Sequence, residues 1–140
     1  MPDLTTLSNE LRLAIHRMTR RLRQQHPAND LTLTQISALS VIWEDRSIAA
    51  GDLAAKEQVR PPSITRVVDG LAAAGLVERR ENPADGRQVL IQITAQGTAK
   101  LESFRAARAA WLTEELADLS AKDREVLHRA AAILIEIAAR

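Results

Sequence analysis

The sequence has 140 residues, 46% of them apolar, 26% charged, and a formal net charge of +1. That suits one domain with a buried core and excludes a disordered tail or a bulk polycation, so any nucleic-acid binding must rest on locally placed charge. Cysteine is absent, which excludes disulfides, thiol redox sensing and cysteine–zinc sites. The aromatic residues are only Trp43, Phe104 and Trp111, too few for the stacking platforms of single-strand readers. No apolar run is long enough to span a bilayer and the N-terminus lacks the plan of a signal peptide, so a cytoplasmic protein is expected. The cations are mostly arginine, with Lys56, Lys100 and Lys122 the only lysines. Arginine suits bidentate contact with phosphate and guanine, although the codon bias of a GC-rich genome accounts for most of the excess.

Leu4, Leu7, Leu11, Ile15, Met18 and Leu22 step by three and four, which predicts a first helix with an apolar seam. Pro27 and Asn29-Asp30 are its expected stop. Thr32 with Gln35 forms a capping box for a second helix, with Ile36, Leu39, Ile42 and Trp43 on its apolar side. Ser47 to Gln58 holds a short third helix around Leu53, with a weak start at Ala49. Val59-Arg60 is a turn, and Pro61 opens a fourth helix at the position where a missing N–H costs nothing. At 100° per residue, Ile64, Val67, Val68 and Leu71 of that helix share one side. Arg66 lies opposite, with Pro62 and Asp69 near it and Ser63 and Thr65 flanking. Gly75 is the expected stop. Leu76 to Arg80 reads as a strand, Asn82 to Gly86 as a turn, and Val89, Ile91 and Ile93 alternate as a second strand. Thr94 caps a fifth helix through Leu101, Phe104, Trp111 and Leu112. Ser120 with Asp123 starts a sixth, whose wide stripe of Val126, Leu127, Ala130, Ile133, Leu134 and Ile137 is best used on a second chain, or else packs only on helix five.

A short helix, a turn and a helix with an outward polar face make a helix-turn-helix, and the hairpin that follows makes it winged. The predicted class is mainly α with a small β-hairpin wing: a dimeric winged helix-turn-helix of six helices. The run Leu71-Ala-Ala-Ala-Gly75-Leu76-Val77-Glu-Arg79, then Pro83, Asp85 and Arg87, then Ile93-Thr94 and Gly97, resembles the signature of MarR-family transcription regulators. Pro62 to Leu71 is similar to that family's recognition helix, and Leu31-Thr32 with Gln35 and Leu39 to its second helix. The resemblance spans the whole chain. It implies one domain, 1–140, with 1–30 and 95–140 as dimerisation helices and 31–94 as the DNA-binding lobe.

The DNA contacts expected from these positions are Arg60, Pro62, Ser63, Thr65, Arg66, Arg79, Arg80, Asp85 and Arg87. The helix N-terminus would offer donors and a favourable dipole. Arg66 can reach guanine O6 and N7, and Arg87 at the wing tip can enter a minor groove, held by Asp85. Arg60, Arg79 and Arg80 can set register on phosphates. Ser63 and Thr65 read equally well as solvated polar residues, and Arg79 and Arg80 as partners of Glu78 and Glu81. The expected partners are a second copy of the chain and double-stranded DNA with a pseudo-palindromic operator. The resemblance also implies a repressor released by a small aromatic or anionic effector, such as a phenolic acid. His16, Arg17, Arg20, Trp43 and Trp111 are the candidates for that site; a solvated face and core tryptophans are the plainer reading. His16, His26 and His128 lack metal-ligand spacing, and no phosphate loop or nucleophile elbow occurs, so no enzyme, cofactor or metal is expected. The competing class is a winged-helix dimer that binds only protein.

Overall fold

The computed structural model describes residues 1–25 and 31–140, so the expected stop at Pro27 and Asn29-Asp30, and His26, lie outside the described residues. The chain forms two compact units, Arg23–Ala107 and a second made of Met1–Leu22 with Arg108–Arg140. The boundary at Ala107 falls inside the fifth helix.

In the first unit, α2 (Leu33–Asp45) starts on the expected capping box. Gln35 N donates to Thr32 Oγ1 at 3.1 Å and Thr32 N donates to Gln35 Oε1 at 2.9 Å. Its buried side is Ile36, Ala38, Leu39 and Ile42. Trp43, expected among them, is 40% exposed and lies beneath the Arg105 guanidinium, 4.3 Å from the ring centroid. A solvent-facing indole of this kind still covers apolar surface while its ring face accepts the cation.

Ser47 to Ala49, the stretch ahead of the expected third helix, forms a strand, β1, that the sequence did not indicate. Arg46 at φ 63° turns the chain sharply after α2. Ser47, Ile48 and Ala49 then pair antiparallel with Gln92, Ile91 and Leu90. Helix α3 (Ala50–Glu57) begins only after it. The pairing buries Ile48 and Ala49 against the core, and Ala49 then serves as the N-cap of α3 with no side-chain cap, the weak start expected. With β2 (Val77–Asn82) and β3 (Asp85–Ile93) the sheet has three strands in the order β1-β3-β2, not the expected two.

Helix α4 (Pro61–Ala73) and the first part of α5 (Ala95–Ala117) complete the core. Leu39, Ile42, Leu53, Ile64, Leu71, Ile91, Leu101 and Phe104 are its fully buried side chains of largest volume, with Val68. The end of the wing is tied to α5 at one close approach. Thr94 N donates to Leu76 O at 3.0 Å, Thr94 Oγ1 donates to Gly75 O at 2.7 Å, and Gly97 N donates to Thr94 Oγ1 at 3.0 Å. A Cβ added at Gly97 would lie 2.1 Å from Leu76 O, so only glycine fits.

The second unit holds α1 (Leu4–Arg23), the rest of α5 and α6 (Ala121–Ala138). Asp3 caps α1: Thr5 N and Thr6 N donate to its Oδ1 at 2.9 and 3.0 Å, and Thr6 Oγ1 donates to its Oδ2 at 2.8 Å. The Thr6 backbone N–H, and after it the Thr6 hydroxyl, hold the Asp3 carboxyl below its ordinary pKa. Ser120 caps α6 as expected, accepting from Asp123 N at 3.1 Å. Among the described residues of this unit no side chain is fully buried. Leu4, Ile15, Ile133, Ile135 and Ile137 are all exposed.

Candidate nucleic-acid interface

The turn between α3 and α4 is built without glycine. Gln58 adopts the left-handed conformation at φ 54°, its N–H reaches Ala55 O at 3.2 Å, and Val59 N donates to Ala54 O at 3.1 Å. This Schellman-type ending closes α3 and points the chain into α4. Arg60 precedes α4 with no side-chain cap.

The N-terminus of α4 differs from the expectation that it offers backbone donors. Pro61 and Pro62 have no N–H, and the N–H groups of Ser63 and Ile64 both donate to Arg60 O, at 2.9 and 3.2 Å. The dipole remains, but the first turn has no uncommitted donor. Recognition by this helix therefore falls to side chains.

The face of α4 divides as its helical angles require. Ile64, Val68 and Leu71 are buried, while Pro62, Ser63, Thr65, Arg66 and Asp69 are exposed. The Thr65 hydroxyl donates to Pro61 O at 3.0 Å, so toward a ligand it acts as an acceptor. Helix α2 braces the opposite side. A Cβ at Gly70 would lie 2.7 Å from Gln35 Nε2, so the capping side chain of α2 lies directly on α4.

The wing places its arginines unequally. Arg79 pairs with Asp69 of α4 rather than with Glu78 or Glu81. Arg80 pairs with Glu78 at 2.8 Å, one of the two partners the sequence suggested. Both pairs are solvent-exposed and hold their cations loosely. Among the described residues no carboxylate pairs with the guanidinium of Arg60, Arg66 or Arg87, and all three are exposed. These three are the uncommitted cations of the face.

Arg87 is not at the tip. The tight turn is Pro83-Ala84, closed by the pair Asn82 and Asp85, and Arg87 follows on β3. The register runs from Val77–Ile93 to Glu81–Val89 and then jumps to Asn82–Asp85, so Gly86, Arg87 and Gln88 arch out as a bulge. Asp85 does hold Arg87, but by its backbone: Arg87 N donates to Asp85 Oδ1 at 3.0 Å. Asp69, Asn82 and Gln88 are the residues here that sequence reading did not assign. Asp69 and Arg79 meet across a helix stop, a contact with no local spacing signal, while Asn82 was legible only as a turn residue.

The effector candidates are shared between the two units. His16, Arg17 and Arg20 are exposed along α1, and Trp111 of the same unit stacks under Arg21 at 5.3 Å. Trp43 belongs to the other unit, under Arg105. A cleft of about 430 Å³ beside β1, lined by Asp45, Ser47, Asp52, Lys56, Gln88 and Leu90 among others, includes none of these five. Among the described residues no cluster of three or more histidines and carboxylates could hold a metal, and no helix is long and apolar enough to cross a membrane.

A three-stranded sheet and a helix-turn-helix whose second helix has an outward polar face define a winged helix-turn-helix protein. The MarR family model matches residues 31–89. An HTH-type transcriptional regulator of Mycobacterium bovis is 40% identical over 131 residues, 94% of this chain and 92% of that one. A putative transcriptional regulator of Pseudomonas aeruginosa superposes with a TM-score of 0.84 at 26% identity, over 97% of this chain and 96% of the other. MepR of Staphylococcus aureus, solved bound to an oligodeoxyribonucleotide, shares the fold at 19% identity and a TM-score of 0.71, over 94% and 97%. The chain belongs to the MarR family of winged helix-turn-helix transcriptional regulators.

Proposed function

We propose that this protein is a homodimeric, sequence-specific repressor that binds a pseudo-palindromic operator in the cytoplasm and is released by a small aromatic or anionic effector. The observation that carries the DNA arm is the outer face of α4, where Arg66 stands exposed and uncommitted, in one compact unit with a wing whose Arg87 is equally free. Arg66, Ser63 and Thr65 would read base edges in the major groove while Arg87 enters the adjacent minor groove. Arg60 is a free phosphate ligand. Arg79 and Arg80 reach phosphate only by exchanging their carboxylate partners for it.

The dimer arm rests on the second unit. Apolar side chains such as Ile133 (58% exposed) and Ile135 (70%) on α6 need a partner surface that the unit itself does not supply. Two copies would set their recognition helices in successive major grooves, about 34–36 Å apart. A dimer seated there denies the same duplex to other proteins, which is repression. The effector arm rests on the arginine–tryptophan pairs, since a guanidinium beside an indole suits a phenolic carboxylate.

The test is selection of duplexes from a random pool, with and without small aromatic acids. The expected result is a palindrome with half-sites one helical turn apart, bound less tightly as salt rises. Loss of binding with an aromatic acid supports the effector. Failure to enrich any duplex overturns the DNA reading in favour of a protein-interaction module.

A further inference from the structure

The wing bulge is closed by side chains rather than by the ladder. Had the register of β2 and β3 continued past Glu81–Val89, Asn82 would face Gln88; instead Asn82 pairs with Asp85 and three residues are left over. The side chains of Asn82 and Gln88 still meet, Asn82 Nδ2 donating to Gln88 Oε1 at 2.7 Å. The other end of the same amide, Oδ1, accepts from Ala84 N at 2.9 Å and shapes the Pro83-Ala84 turn. Asp85 Oδ1 then fixes Arg87 N at 3.0 Å. Asn82 thus spends both ends of its amide on the loop that carries Arg87. One end forms the turn and the other closes the neck. Gly86, Arg87 and Gln88 have no ladder partner, and Gly86 adds backbone freedom at the start of the arch, so these side-chain contacts are what hold it.

We propose that Asn82 and Gln88 are positioning residues that pre-form the wing bulge and aim Arg87 into the minor groove, so that its ordering is largely complete before DNA arrives. This rests on the DNA-binding reading above. Pre-ordering matters because a long side chain on a slack loop loses conformational freedom on binding, which subtracts from its contact energy. The effect belongs to the flank under the wing and leaves the half-site read by α4 untouched.

The experiment measures the affinity of full-length Asn82→Ala, Gln88→Met and Arg87→Ala, and the double variants with Arg87→Ala, on the selected operator. Each is measured with A·T and with G·C flanks, and each variant's melting temperature is recorded. Gln88→Met removes only the neck acceptor, so it remains informative where Asn82→Ala disturbs the turn. Arg87→Ala and Asn82→Ala are each expected to lose roughly five- to tenfold on A·T flanks and little on G·C flanks, with Gln88→Met somewhat less. Neither positioning variant should lose more in the Arg87→Ala background, since residues acting through one another are not additive. Losses equal on both flanks, losses additive with Arg87→Ala, or unchanged affinity in both Asn82→Ala and Gln88→Met overturn the proposal. Wild-type protein that enriches no duplex overturns the DNA reading itself, a result distinct from any of these.

Discussion

At the scale of single residues, the arginines divide by what they already hold. Arg79 is paired with Asp69 and Arg80 with Glu78, whereas Arg60, Arg66 and Arg87 have no carboxylate partner among the described residues. A cation with no internal partner gives up nothing inside the protein when it meets DNA. Arg66→Ala is therefore expected to cost about 1–3 kcal/mol of operator binding and to relax preference at one base pair per half-site, read by fluorescence anisotropy on single-base operator variants. Arg87→Ala should instead weaken binding most on A·T-rich flanks. Unchanged affinity in both variants would remove the major- and minor-groove assignments together. The backbone of α4 contributes less than a generic helix start, because Pro61 and Pro62 carry no N–H and Arg60 O takes the next two. Side-chain substitutions on this helix should therefore show nearly their full effect, with no residual amide anchoring.

At the scale of elements, much of the architecture was legible. The capping box Thr32–Gln35, the buried side Ile64, Val68 and Leu71, the stop at Gly75 and the Ser120 cap all follow from periodicity and local chemistry, and the structure has them. What was not legible depended on tertiary contacts. Strand β1 is three residues long, shorter than any periodicity can show, and it exists because β3 offers a free edge. Gln58 takes a left-handed turn usually given to glycine, so sequence showed a turn but not its form. The turn beyond Asn82 looked like a simple hairpin that would put Arg87 at the tip, but the jump in register moves the tip to Pro83-Ala84. Two substitutions test how elements are joined. Gly97→Ala sets a methyl 2.1 Å from Leu76 O, a backbone atom that cannot swing away. It should destabilise by about 1–3 kcal/mol, seen as a lower melting temperature. Asp69→Ala removes an exposed ion pair, so stability should change by less than about 1 kcal/mol. It also frees Arg79, and if that residue lies against phosphate the slope of log affinity against log salt steepens by about one. An unchanged slope would assign Arg79 to the wing alone.

At the scale of the whole molecule, the two units have unlike needs. The winged unit has its own core around Leu39, Phe104 and Ile91. The unit of Met1–Leu22 and Arg108–Arg140 has no fully buried side chain among its described residues. On the dimer reading, Ile133→Glu introduces a charge into the shared apolar surface and should shift the sedimenting species toward monomer. Operator affinity should then fall by roughly 100-fold or more, because the second half-site is no longer delivered by the first. A variant that stays dimeric with full affinity would place the interface elsewhere. On the same dimer reading, a chain whose terminal helices find cover in another copy would also meter its own abundance. Dilute copies would leave isoleucines in water and open to proteases, while concentrated ones would protect each other. Occupancy of an operator by pairs rises with the square of the free chain concentration when monomers predominate. Halving synthesis would then empty the operator more than twofold, and the exposed face of α6 would turn a modest change in supply into a sharper change in output.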